Sequence, residues 1–363
     1  MNLLILQDYL RNGGTERQSV LLANAFAAAG HQTTLLTFRP GGTLARTVGN
    51  AVHHRTLQAR DFHLDWFAPA LPSVARAVSP HVILCMGRMA NCHGWRLTGL
   101  APVIATMRTG KPLPWLFRQT LRRAARIVAN SREAAATLID RHRVDPALIR
   151  VIPNALVFPP EDAPTAPARD EWRARLGAGP ATTVLLCVAM FRPEKNQREL
   201  IEIVAGLPTG ADWQLWLAGD GPARAECERL VAARGLGNRV KFPGFLPNPA
   251  GLYHAADVAV HASWSEALSN FLIEAQAHGL PAVAYAAQGI AECFLPGETG
   301  WVIARDDRPA FRQALSALFT APTASRNSLA TTARRFARET FSPARSIAAY
   351  LELFQPYSPP AAP

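Results

Sequence analysis

Strand-like apolar runs alternate with helical patterns along this chain, and that alternation is the signature of a parallel α/β architecture. LLIL (3–6), TTLLTF (33–38), VILCM (82–86) and PVIATM (102–107) are the strand candidates of the first half. VLLCVAM (184–190), WQLWLAG (213–219), RVKFPG (239–244), VAVHAS (258–263) and AVAYA (282–286) are those of the second. The chain has 363 residues and 49% hydrophobic content. Single cores stop growing near roughly 250–300 residues, so two domains are expected. The proline-rich, aperiodic stretch VFPPEDAPTAPA, Val157 to Ala168, reads as the linker. The predicted domains are therefore 1–156 and 169–341, each Rossmann-like, facing each other across a cleft at the carboxyl ends of their strands. Past Pro322 the pattern is helical, and the tail PYSPPAAP (356–363) is expected to be disordered.

Composition narrows the setting. No apolar run approaches the roughly 18 residues of a membrane span. MNLLILQDYL lacks a basic start and meets Asp8 early, so it reads as a buried strand and not as a signal peptide. Cys85, Cys92, Cys187, Cys227 and Cys293 form an odd set without a C-x-x-C pair, which argues against a disulfide framework or structural zinc. A soluble protein of a reducing, cytoplasmic compartment is expected. The net charge of +11 comes almost entirely from arginine, since Lys111, Lys195 and Lys241 are the only lysines. Such a chain favours an anionic partner. No zinc-finger spacing, basic-zipper pattern or RNP-type motif points to nucleic acid. Nucleotide diphosphates and anionic lipid headgroups fit better.

The most informative segment is SWSEALSNFLIEAQAHGLPAVA, Ser263 to Ala284, in which seven residues separate Glu266 from Glu274. Asn270 is a good N-cap for a short apolar helix over Phe271–His278, stopped by Gly279 and Pro281. Both carboxylates would then face a crevice at the helix start, with the backbone N–H groups of Leu268, Ser269 and Asn270 and the positive end of the dipole offered to phosphate. One carboxylate suits a ribose diol, the other a sugar or a developing positive charge. The plainer alternative is a salt bridge from Glu274 to an arginine and a solvated Glu266.

Other candidates lie at predicted strand ends. Phe191-Arg192-Pro193-Glu194-Lys195-Asn196 places two cations on a loop, where they can stabilise a departing diphosphate; a surface pair between Lys195 and Glu194 is the alternative. Asn12-Gly13-Gly14-Thr15-Glu16-Arg17-Gln18 is a glycine turn into a helix with a Thr15-x-x-Gln18 capping box. It lacks the G-x-G-x-x-G of a nicotinamide site. Asp220 and Gly221 end WQLWLAG in a tight turn, and Phe245, Leu246 and Pro247 follow RVKFPG. Trp115-Leu116-Phe117-Arg118 with Leu121-Arg122-Arg123 and Arg126 makes a basic amphipathic helix, suited either to an anionic membrane surface or to packing within its own domain.

The string from Ser263 to Ala284 closely resembles the donor-site signature of retaining glycosyltransferases of the GT-B fold, family 4. The resemblance implies that Glu266 lies at the donor sugar and diphosphate and that Glu274 binds the nucleotide ribose. Arg192 and Lys195 resemble the family's R-x-x-K-N loop at the diphosphate. Gly13 and Gly14 resemble its glycine loop, and Asp220 and Gly221 its nucleotide-approaching turn. The segment around Leu246 corresponds to backbone that holds the base. The last helix, 342–354, is expected to cross back to the first domain. Where many members carry a histidine that positions the donor sugar, this chain has Arg108, and His93 is a second candidate on the acceptor side. The resemblance implies transfer from a UDP-, GDP- or ADP-sugar to a glycan or lipid-linked acceptor in cell-surface polysaccharide or lipopolysaccharide assembly, without metal or cofactor, on the inner face of the plasma membrane. A sugar-nucleotide epimerase and a noncatalytic binder are the alternatives.

Overall fold

The computed structural model describes residues 1–158, 166–208 and 210–359. The chain divides into two compact units, Met1–Ala155 with Ser342–Pro363, and Leu156–Phe341.

The first unit is built on a seven-stranded parallel sheet. Its strands are β1 (Asn2–Gln7), β2 (Gln32–Thr37), β3 (Val52–Thr56), β4 (Val82–Cys85), β5 (Val103–Met107), β6 (Arg126–Ala129) and β7 (Ile149–Val151), in the order β3-β2-β1-β4-β5-β6-β7. The order reverses between β1 and β4, the switch point at which open α/β sheets bind ligands. β3, β6 and β7 carry no long apolar run, and none was expected from the sequence. The helix Trp115–Arg123 ends before Arg126, which opens β6 and so leaves the expected amphipathic helix. Pro343–Phe354 forms the last helix and belongs to this unit. Tyr350 and Phe354 are buried with Leu3, Ile5 and Leu22, their rings edge-on to Phe26 at 6.2 and 5.6 Å. The start of the tail is ordered: Gln355–Tyr357 is a 3-10 turn, while 360–363 lie outside the described residues.

The second unit holds β8 (Thr183–Val188), β9 (Trp213–Ala218), β10 (Val240–Gly244), β11 (Val258–His261), β12 (Ala282–Tyr285) and β13 (Gly300–Ile303). They form a parallel sheet in the order β10-β9-β8-β11-β12-β13, reversing between β8 and β11. Its core packs both faces, with Trp216, Leu217, Val260, Ile273 and Phe311 all buried. Arg308 clamps Glu199 bidentately at 2.8 and 2.7 Å, and the Tyr285 hydroxyl adds a third bond at 3.0 Å. Those contacts tie the helices Gln197–Ala205 and Arg308–Thr320 to β12. Of the expected linker, 159–165 lie outside the described residues. A helix, Ala166–Leu176, begins before the linker's expected end. Five buried cysteines are free. Among the described residues no helix is long and apolar enough to cross a membrane.

Candidate active site

The loops that leave β8 and β11 meet at the switch point of the second unit. The β8 loop turns through Pro193–Lys195, a single 3-10 turn closed by Asn196 in the left-handed region at φ 53°. Ser263 donates through Oγ to the Glu194 carbonyl at 2.8 Å, and the Trp264 N–H reaches the same oxygen at 3.1 Å. The two loops are thus locked backbone to backbone. Lys195 Nζ lies 2.5 Å from Glu266 Oε1, and His261 Nε2 lies 2.8 Å from the same oxygen. Lys195 therefore pairs across the switch point with a residue 71 positions away. Glu266 is 8% exposed, so the solvated alternative is corrected. Burial by itself would raise the Glu266 pKa. The Lys195 charge and the His261 bond outweigh it and pull the carboxyl down to about 2, so the group is anionic at neutral pH. Arg192, one turn earlier and half-buried, makes no ion pair among the described residues. A cavity of 390 Å³ opens beside it, lined also by Gln197, Trp264, Asp306 and Arg308.

Glu274 projects from a helix that begins one residue earlier than the sequence indicated. The N-cap is Ser269, whose Oγ accepts from the Leu272 N–H at 3.5 Å, and the helix is Asn270–Ala277. Asn270 is its first residue and not its cap, because the shorter serine hydroxyl already fills the capping position. The Ser269 N–H, expected to be open to phosphate, donates to Cys293 Sγ at 3.3 Å. Leu268 is buried against the core. The Tyr253 hydroxyl donates to Glu274 Oε2 at 2.6 Å, so a phenol holds one oxygen of the half-buried carboxylate. Tyr253 stacks in turn on His278 at 4.8 Å. Burial holds His278 down at about 4, hence neutral.

Glycines make these loops possible. Gly219 and Gly221, at φ 137° and 148°, flank Asp220; an added Cβ would come 2.0 Å from the Ala189 carbonyl or 2.5 Å from that of Phe191. The Asp220 carbonyl accepts from Phe191 N–H at 2.9 Å, and its exposed carboxylate accepts from Gly221 N–H at 2.8 Å. Leu246 is half-buried against the core, and Phe245 is exposed. Gly289, at φ 73°, lies so close that a Cβ would stand 1.9 Å from the Ala267 carbonyl.

In the first unit the glycine turn leads into a helix as expected, while the neighbouring polar candidates have other partners. Gly13 is the N-cap of the helix Gly14–Ala28 without a side-chain cap, and the Glu16 carboxylate folds against it. Thr15 and Gln18 form no capping box: Gln18 is buried and bonds both the N–H and the carbonyl of Ala155, a use of glutamine that needs tertiary partners. Arg108 donates to Asn154 Oδ1 at 2.5 Å and to the Tyr350 hydroxyl at 2.7 Å, clasping the last helix. His93 is engaged at both nitrogens, with the Trp66 carbonyl at 2.9 Å and Arg96 Nη1 at 3.0 Å, which leaves neither for an acceptor. Asp8, beyond β1, accepts from the N–H groups of Met89 and Ala90 at 3.0 and 2.6 Å. Trp115 and Leu116 are exposed while Phe117 and Leu121 are buried.

Residues 168–336 match the family model described as glycosyl transferases group 1, and residues 12–156 match the one described as glycosyltransferase family 4. The chain belongs to the group 1, family 4 glycosyltransferases. A lipopolysaccharide core biosynthesis glycosyltransferase of Rhizobium meliloti, LpsE, is 29% identical over 307 residues, covering 84% of this chain and 85% of the relative. The 2-deoxystreptamine glucosyltransferase of Streptomyces kanamyceticus is 34% identical over 244 residues, 63% of this chain; the match spans 60% of that relative's length. Among solved structures, Anabaena HepE in complex with UDP and glucose superimposes with a TM-score of 0.82 at 21% identity, covering 98% of this chain and 99% of its own. That likeness is one of fold, and the fold is GT-B.

For a glycosyltransferase of this family, the second unit offers an anionic carboxylate with one oxygen gripped, two cations and a phenol-held second carboxylate. His261 is the member of this group that sequence reasoning missed, since in VAVHAS it reads as one more strand residue. Its signal was local and weak: a polar residue ending an otherwise apolar run, five positions before Glu266. Among the described residues no cluster of three or more His, Cys, Asp or Glu could hold a metal ion.

Proposed function

We propose that this chain transfers a glycosyl residue, with retention, from a nucleoside-diphosphate sugar to a hydroxyl of a glycan or lipid-linked acceptor in cell-surface polysaccharide or lipopolysaccharide assembly. The observation that carries the reading is the meeting of Lys195, Glu266 and His261 beside the uncommitted Arg192. In this reading Arg192 binds phosphate oxygens bidentately and Lys195 adds a point charge, so charge growing on the departing diphosphate is stabilised where it develops. The anomeric carbon–phosphate oxygen bond breaks as the acceptor oxygen bonds the same face, and the acceptor proton passes to the departing phosphate. Glu266 orients donor hydroxyls and Glu274 the ribose diol, each carboxylate pre-set by its own donors. The two cations supply the charge a metal ion would otherwise bring.

UDP is the first nucleotide to test, because LpsE and HepE stand on either side of the reading: one is named for lipopolysaccharide core synthesis, the other was crystallised with UDP and glucose. Calorimetric titration with UDP, GDP and ADP, in buffer with EDTA, is expected to show one binder, weakened at least tenfold in Lys195→Ala and Glu274→Ala. No binding by any of the three sinks the donor-site assignment. We place the enzyme peripherally on the cytoplasmic membrane face through Trp115, Leu116, Arg118 and Arg122. Vesicles rich in phosphatidylglycerol should retain the wild type and release Trp115→Ala/Arg122→Glu.

A further inference from the structure

Resting on that reading of the second unit, we propose that His261 is the positioning residue that keeps Glu266 in place when Lys195 leaves it for the diphosphate of the donor. Both side-chain contacts of Glu266 converge on Oε1, at 2.5 Å from Lys195 Nζ and 2.8 Å from His261 Nε2, and Oε2 has no partner among the described residues. Oε1 is the held atom and Oε2 the one turned to a ligand.

The two donors differ in freedom. The lysine ammonium sits on a flexible four-carbon stem, is 25% exposed, and comes from a loop. His261 ends β11 inside the sheet and is 1% exposed, its ring 5.7 Å from that of Phe271. An incoming diphosphate carries more negative charge than one carboxylate and competes for the ammonium. Stripped of both partners, a carboxylate this buried would be strongly destabilised. With His261 present it keeps one hydrogen bond in unchanged geometry. The carboxylate can only accept, so Nε2 carries the proton. Nδ1 is buried without a partner. The ring is therefore a fixed donor. It secures Glu266 when Lys195 is drawn toward the diphosphate.

The reading fixes signs for a double-mutant cycle in UDP affinity, measured by calorimetry on the full chain. His261→Leu removes the fixed donor, so Glu266 clings to Lys195 and UDP binds about tenfold more weakly, about 1.4 kcal/mol. His261→Gln, which keeps an N–H donor, binds within about threefold of wild type. In a Glu266→Gln background no carboxylate competes for Lys195, and His261→Leu then changes affinity less than twofold. Thermal melts confirm that each variant is folded. Equal losses from His261→Leu in both backgrounds, or no loss in the wild-type background, overturn the proposal. If the wild type binds none of UDP, GDP and ADP, the donor reading falls on its own, and the same cycle is run with inorganic pyrophosphate. The same pattern there upholds the handover from carboxylate to phosphate, and absence of pyrophosphate binding overturns it as well.

Discussion

Replacing Gly289 by alanine should damage the second unit more than a methyl added at any of its left-handed glycines that face open space. Two costs add. At φ 73° an L residue pays about 1 kcal/mol for the left-handed backbone. The new Cβ would also stand 1.9 Å from the Ala267 carbonyl oxygen and 2.7 Å from its carbon, where real Cβ contacts stay beyond 3.0 Å. The loop must retreat by about 1.1 Å, the difference between 3.0 and 1.9 Å. Overpacking of that kind costs about 1–3 kcal/mol, for a total near 3. Gly235 is the control: its φ is 66°, and nothing lies within 4 Å of an added Cβ. Gly235→Ala should cost only the backbone part, about 1 kcal/mol. At about 2–4 °C per kcal/mol for a unit of this size, melting should fall by roughly 6–12 °C for Gly289→Ala and roughly 2–4 °C for Gly235→Ala. Ala267 adjoins Glu266, so UDP affinity should drop about tenfold in the first variant and stay within about twofold in the second. Equal melting shifts would refute the close approach. A tenfold loss of affinity in Gly235→Ala would refute the link to the Glu266 loop.

Three further outcomes follow from single contacts. Tyr253→Phe deletes a charge-assisted bond to Glu274, worth about 1.5–3 kcal/mol, and calorimetry should show nucleotide affinity reduced about tenfold; unchanged affinity would remove Tyr253 from the site. Tyr350→Phe breaks the Arg108 clasp and should lower urea stability by about 1–2 kcal/mol, with turnover per folded molecule unchanged; a larger fall in turnover than in stability would return Arg108 to the chemistry. Burial pushes Asp8 up to about 7 against the Met89 and Ala90 hydrogen bonds that oppose it. A carboxyl raised above its unfolded value of 3.8 stabilises fully below that pH, and the contribution is lost as pH rises through 7. Asp8→Asn should therefore gain on the wild type between pH 4 and 7 and level off above; a melting difference constant from pH 4 to 8 would contradict this.

The sequence was legible where a feature is written in consecutive residues. Runs such as LLIL and VILCM are buried on both faces, and their apolar character survives without knowledge of neighbours. β3, VHHRT, and β7, IRV, are edge strands whose side chains are partly exposed, so no long apolar run marks them. The helix start at Ser269 was misplaced by one residue because Ser and Asn are equally good caps, and only the Leu272 N–H decides between them. Lys195 stands out in the sequence as one of few lysines, yet its partner is not written there: Glu266 becomes its neighbour only because β8 and β11 are adjacent in the sheet. Gln18 shows the same limit in reverse. Its spacing from Thr15 satisfies a local rule, while the fold spends it on Ala155.

The two switch points explain why the diphosphate is assigned to the second unit. Beyond β1 and β4, the backbone N–H groups that would meet an anion are already occupied by Asp8, and a Cβ at Gly87 would stand 2.1 Å from that carboxylate. Around it Arg39 is committed to Asp61 and Asp65, and Arg11 to Asp65. An entering phosphate finds a carboxylate and spent cations. Beyond β8 and β11 it finds Arg192 uncommitted and Lys195 held by a single carboxylate oxygen that a doubly charged group can outcompete. Pyrophosphate separates the cases. Its affinity should fall at least tenfold in Lys195→Ala and Arg192→Ala and stay within about twofold in Asp8→Asn. Tighter binding in Asp8→Asn would mean that phosphate reaches the first unit, and the assignment of the anion to the second would be wrong.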